Sequence, residues 1–162
     1  MPHITIEYMI MVPVMIAQII LFPYLAITIR DSWVNNNMEL ELGEICGHLG
    51  SSIQQLYYSM NHASISSGSL TAKLSTPSLI GDGYGNFYNY TVTFQNATNS
   101  YNDVKIMKIV LDIKGRIGDA STIVTLGPNA DWPNNCTYVS SGLSSIIATK
   151  TPASISLGFG VT

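Results

Sequence analysis

Hydrophobic and polar positions fall into three successive patterns along this chain. From Tyr8 to Ile29 the residues are mostly apolar and none is charged; from Met38 to Met60 apolar residues return every third or fourth position; beyond Ser64 they alternate with polar residues in short runs divided by Gly, Asn, Asp and Pro. Each pattern predicts a different element, because a helix repeats its faces every 3.6 residues and a strand every two.

The first run, as a helix of 22 residues, rises about 33 Å, which matches the ~30 Å hydrocarbon core of a bilayer. Its apolar residues surround the whole helix, so every face is to be buried. A packed bundle of such helices and a lone anchor in lipid both satisfy that demand. Pro13 and Pro23 interrupt the run, and each removes an intrahelical hydrogen bond that neighbouring helices can compensate. A cleaved secretory signal is disfavoured, since no Lys or Arg precedes the run and Ile-Thr-Ile-Arg-Asp follows it without a small-residue cleavage site. The segment is expected to be retained in the working protein.

After the run, DSWVNNN around Arg30 to Asn37 predicts a hinge or cap. Met38, Leu42, Ile45, Leu49, Ile53, Leu56 and Met60 then recur at steps of three and four, a one-sided amphipathic helix with Glu39, Glu41 and Glu44 on its polar face. Gly43, Gly47 and Gly50 are expected to let a backbone or sheet approach closely, or else merely to weaken the helix. Beyond Ser64, SLTAKLS, NFYNYTVTFQ, VKIMKIVLDIKG, STIVTLG, CTYVSS, SSIIATK and ASISLGFGV read as strands. The fold class expected is therefore α+β: a long N-terminal hydrophobic helix as a handle (residues 1–30), continuing into an amphipathic helix (31–63), followed by an antiparallel β-sandwich-like head (64–162).

Composition narrows the functional classes. Only 10% of the residues are charged and the net charge is −3; the basic residues are scattered, which argues against a nucleic-acid partner. Ser, Thr, Asn and Gly supply the polar surface, as in secreted or glycan-coated proteins. Three N-glycosylation sequons, at Asn89, Asn96 and Asn135, cluster in the C-terminal part. For an extracellular chain the two widely separated cysteines, Cys46 and Cys136, read as one disulfide worth ~4 kcal/mol that pins the amphipathic helix to the sheet, the alternative being two unrelated buried thiols. His3, His48 and His62 stand apart from any nucleophile motif, and GDGYGN at Gly81 to Asn86 reads as a tight turn, having one carboxylate where calcium wants several oxygens. No catalytic constellation, cofactor motif or metal-ligand spacing is present in the sequence, which suits a structural role.

Glu7 is the residue that a plain anchor does not require. A carboxylate inside a dehydrated helix bundle needs a cationic partner, such as the N-terminal amine of a neighbouring copy; at a bilayer edge it is only an interfacial flank. HITIEYMIMVPVMIAQIILFPY resembles the N-terminal segment of type IV pilins and pilin-like proteins, with a glutamate opening an apolar helix, a proline near its far end and a β-rich domain beyond. The Glu7 to Pro13 spacing is similar to that of the tight-adherence branch and its archaeal relatives. The resemblance covers roughly residues 3 to 30, less than a fifth of the chain. It implies a filament subunit at the cell surface, delivered through the cytoplasmic membrane, that polymerises with copies of itself with the help of a pilus assembly machinery. Assembly and register would then rest on Glu7, Pro13 and Pro23. It also implies a prepilin peptidase that cuts a short basic leader; no such leader precedes Glu7 here, so either Met1 is the processed N-terminus and Glu7 sits two places further in than in the family, or Met1 is the initiator and the processing step is not implied. Two functions from different classes follow: a filament subunit whose β head is exposed for adhesion or surface contact, and a membrane-anchored surface domain that does not polymerise.

Overall fold

A computed structural model describes residues 3–97, 104–114 and 119–161. One helix, α1 (His3–Met60), takes up the first third of the chain and is 58 residues long, about 87 Å at 1.5 Å per residue. The hinge expected at Arg30 to Asn37 does not form. Val34 and Met38 are both buried, one turn apart, and extend the apolar stripe of Leu42 backwards through the polar DSWVNNN stretch; packing of that stripe on the sheet keeps the segment helical where its local composition favours a break.

Among the described residues the head holds ten strands: β1 (Gly68–Lys73), β2 (Ile80–Gly81), β3 (Phe87–Tyr88), β4 (Thr91–Asn96), β5 (Lys105–Asp112), β6 (Asp119–Leu126), β7 (Ala130–Asp131), β8 (Thr137–Val139), β9 (Leu143–Lys150) and β10 (Ile155–Val161). They form two four-stranded sheets, ordered β1-β9-β10-β7 and β6-β5-β4-β8, and a small β2-β3 hairpin. All pairings are antiparallel except the short β10–β7 contact. Register puts Val92, Leu111 and Ala120 in one cross-strand row and Phe94, Ile109 and Thr122 in the next. Alternation along each strand turns that face inward, and Val92, Phe94, Met107, Ile109 and Leu111 are wholly buried.

The two sheets meet where Phe94 of β4 stacks on Phe159 of β10, with ring centroids 4.7 Å apart and Tyr138 edge-on against Phe159 at 4.9 Å. The buried stripe of α1 joins both sheets in a single core, packing mainly on β6 and reaching β5 and β9. Of the three helical glycines only Gly50 is closely approached: a Cβ there would lie 3.0 Å from Thr122 Cγ2 and 3.2 Å from Val124 Cγ2. Gly43 and Gly47 are exposed, with open space where a Cβ would lie.

Side-chain hydrogen bonds hold the C-terminal end of α1. Tyr57 Oη donates to Asn129 Oδ1 at 2.5 Å, Asn129 Nδ2 donates to Asn61 Oδ1 at 2.9 Å, and Ile155 N donates to the Asn129 carbonyl at 2.7 Å. One asparagine thus ties the helix end to the start of β10. Gly127 makes room for this arrangement, since a Cβ there would collide with Tyr57 Oη.

Candidate functional site

The candidate site is the first half of α1. Every described side chain from Met9 to Trp33 is exposed, on all faces of the helix, including the long apolar side chains of Ile10, Met11, Ile16, Ile19, Leu21, Phe22 and Ile29. From Val34 onward the same helix buries one stripe against the head. Pro13 and Pro23 lie inside the helix without ending it. Glu7 belongs to the helical backbone, while its side chain falls outside the described residues. By length and composition this helix is able to cross a membrane. So large a continuous apolar surface on one chain is a surface awaiting a partner phase, either lipid or protein.

The junction between the exposed and packed halves is built by a turn that the sequence marks and a contact that it does not. Within Gly81 to Asn86 the Asp82 carboxylate accepts from Tyr84 N at 2.8 Å, Asn86 N at 3.1 Å and Asn86 Nδ2 at 2.7 Å. The acid closes its own turn, the usual work of Asp at such a position, and Gly83 and Gly85 adopt the positive φ the turn requires. That turn carries Tyr84 onto the helix, where the Arg30 guanidinium lies 5.5 Å from the ring centroid, within cation–π range. Arg30 also donates to Asp31 Oδ1 through Nε and Nη2, at 3.1 and 2.9 Å; both side chains are half exposed, so the pair adds little to stability.

The expected disulfide is not formed, and both cysteines are free thiols. Cys46 is fully buried and points its Sγ at the carbonyls of Ile109 (3.6 Å) and Ala120 (3.9 Å), under β5 and β6. Cys136 runs alongside β4 instead, its carbonyl accepting from Phe94 N at 3.4 Å. In the order β6-β5-β4-β8 these places are about two strand spacings apart, ~10 Å, and a disulfide requires Cα atoms within ~7 Å. Burial pushes the Cys46 thiol up to about 11, which leaves it protonated and unreactive at neutral pH.

Asn89, Asn96 and Asn135 are all exposed, as glycan acceptors must be. Asn135 sits at φ 58°, a left-handed conformation that asparagine tolerates; Thr98, the third residue of the Asn96 sequon, lies outside the described residues. Among the described residues no three His, Cys, Asp or Glu side chains gather as a metal site. Sequence reasoning missed the Arg30–Tyr84 contact and the Asn129 tie, and only the turn signal of GDGYGN pointed towards either. No family model, curated protein or solved structure matches the chain. The long apolar N-terminal helix followed by a β-rich head is compatible with a pilin-like fold.

Proposed function

We propose that this protein is the structural subunit of an extracellular type IV pilus-like filament. The observation that carries the reading is the division of α1: residues 9–33 expose apolar side chains on every face, while residues 34–60 hold the head by one stripe. A membrane supplies the first burial. Release of the helix from lipid into a bundle of its own copies supplies the second, at little net hydrophobic cost, because apolar side chains exchange one apolar surrounding for another. The heads then remain outside, the asparagines of their sequons exposed, available for adhesion or contact.

In the bundle Glu7 pairs with an amine of a neighbouring copy and fixes the register, since apolar helices slide past one another with little penalty whereas a buried unpaired carboxylate is costly. The pilus assembly machinery and prepilin peptidase are the partners this route requires. Imaging of native surface material tests it: fibres of uniform diameter containing this chain are expected, and Glu7→Gln is expected to insert in the membrane with an intact head yet give fewer or disordered fibres. A wild-type protein found only as dispersed membrane-bound copies would establish the non-polymerising surface domain in its place.

A further inference from the structure

Outside the apolar run, three exposed aromatic side chains lie on elements next to its end, while Tyr58, also exposed, stands far along α1. Tyr84 is 60% exposed and Phe87 68% exposed on the β2-β3 hairpin, and Trp33 is 59% exposed on α1. Arg30 is the first charged residue after the run, Tyr84 lies over its guanidinium, and Trp33 follows within one turn. The hairpin is a shaped element. Asp82 locks the turn through backbone and side-chain hydrogen bonds, β2 packs on the helix, and Ile80 is wholly buried. Opposite Phe87 stands Gly81, where an added Cβ would lie 3.4 Å from the Phe87 ring, so the phenyl group lies along the outer surface of the hairpin. Among the described residues, nothing covers the outer side of this large apolar ring, which the braced hairpin holds exposed.

We propose that the β2-β3 hairpin seats the head on the membrane: Tyr84, Phe87 and Trp33, with Arg30, occupy the headgroup layer of the bilayer that the apolar helix crosses. The inference rests on the part of the reading above in which Tyr8 to Ile29 spans a bilayer. With that run filling the ~30 Å hydrocarbon core, Arg30 falls at its boundary, and the headgroup region beyond is only ~5–8 Å deep. A guanidinium-to-ring distance of 5.5 Å therefore puts Tyr84 in or beside that layer. Aromatic rings with a polar edge prefer this depth, and an Arg at a helix end reaches the same level. Local charge does not oppose the contact, since Asp31 is paired with Arg30 and the Asp82 carboxylate is turned into its own turn. The collar fixes the height of the head above the bilayer and limits its tilt.

Photolabelling of the full chain in phosphatidylcholine nanodiscs tests this directly. One preparation carries a lipid with a diazirine near the headgroup and the other a lipid with the diazirine at the acyl-chain end. The chain-end probe is expected to label residues 9–29, and the headgroup probe to label peptides containing Trp33 and Tyr84 to Phe87. The double variant Tyr84→Ser, Phe87→Ser is expected to lose the hairpin label and to keep the Trp33 label and an unchanged Tm. A hairpin free of label while residues 9–29 are labelled overturns the seating role and leaves the spanning helix intact. Absence of label on residues 9–29 as well overturns the bilayer reading and the seating role with it. If the hairpin stays unlabelled and the inserted double variant forms fewer fibres, the patch is a contact between copies and the lipid assignment is wrong.

Discussion

Replacing each of the three helical glycines by alanine separates intrinsic helix propensity from packing. Alanine is favoured over glycine in a helix interior by about 1 kcal/mol. Gly43 and Gly47 have nothing within 4 Å of an added Cβ, so Gly43→Ala and Gly47→Ala should each stabilise the protein by most of that amount. At Gly50 the new methyl would lie 3.0 Å from Thr122 Cγ2 and 3.2 Å from Val124 Cγ2, methyls of short β-branched side chains on β6 that have little rotamer freedom to swing away. Overpacking of this kind costs ~1–3 kcal/mol, which offsets the propensity gain and gives a net change between about zero and 2 kcal/mol of destabilisation. Urea unfolding of the full chain in detergent micelles, followed through the emission of the buried Trp132, reads the difference. With a slope of ~1–3 kcal/mol per molar urea, Gly47→Ala should raise the midpoint by roughly 0.3–1 M, while Gly50→Ala leaves it unchanged or lowers it. Equal stabilisation at Gly47 and Gly50 would refute the close approach of α1 to β6.

The fold also sets the behaviour of its thiols, its helix tie and its glycans. At pH 8 a thiol reagent should label Cys136 in the native protein and Cys46 only after unfolding; a disulfide-linked peptide joining the two would contradict the free-thiol arrangement. Because burial raises the Cys46 thiol from 9.0 to about 11, the folded state holds that proton more tightly than the unfolded one. Its contribution, about 2–3 kcal/mol at most, is whole below pH 9 and lost as pH rises towards 11, and Cys46→Ala should flatten the alkaline limb of the stability curve. Gly127→Ala should displace Tyr57 Oη from Asn129 and destabilise the head by ~1–3 kcal/mol, visible as a lower Tm; an unchanged Tm would show that the tie contributes nothing. Native protein should exceed the 17.6 kDa of the chain by whole glycan units carried on Asn89, Asn96 or Asn135, and an unshifted intact mass would remove the glycoprotein reading.

Local pattern alone determined most of the elements. The apolar run, the stripe from Met38 to Met60 and the alternation in β4 and β5 are each legible because helix and strand impose their own periods on whichever residues face the core. The GDGYGN turn was legible for a similar reason: an Asp that accepts hydrogen bonds from backbone two and four residues ahead needs nothing distant to do so. The remaining features depend on residues far apart in the chain. DSWVNNN reads as a break, but Val34 and Met38 find the sheet and the helix runs on. Gly43, Gly47 and Gly50 are alike in sequence and differ only in what lies opposite each. Cys46 and Cys136 form an even pair in the sequence, yet strand order sets one beneath β5 and β6 and the other beside β4. Arg30 meets Tyr84, and Tyr57 meets Asn129, through loops whose paths no local pattern records. Periodicity specifies which face of an element is buried; only the docking of elements specifies what buries it.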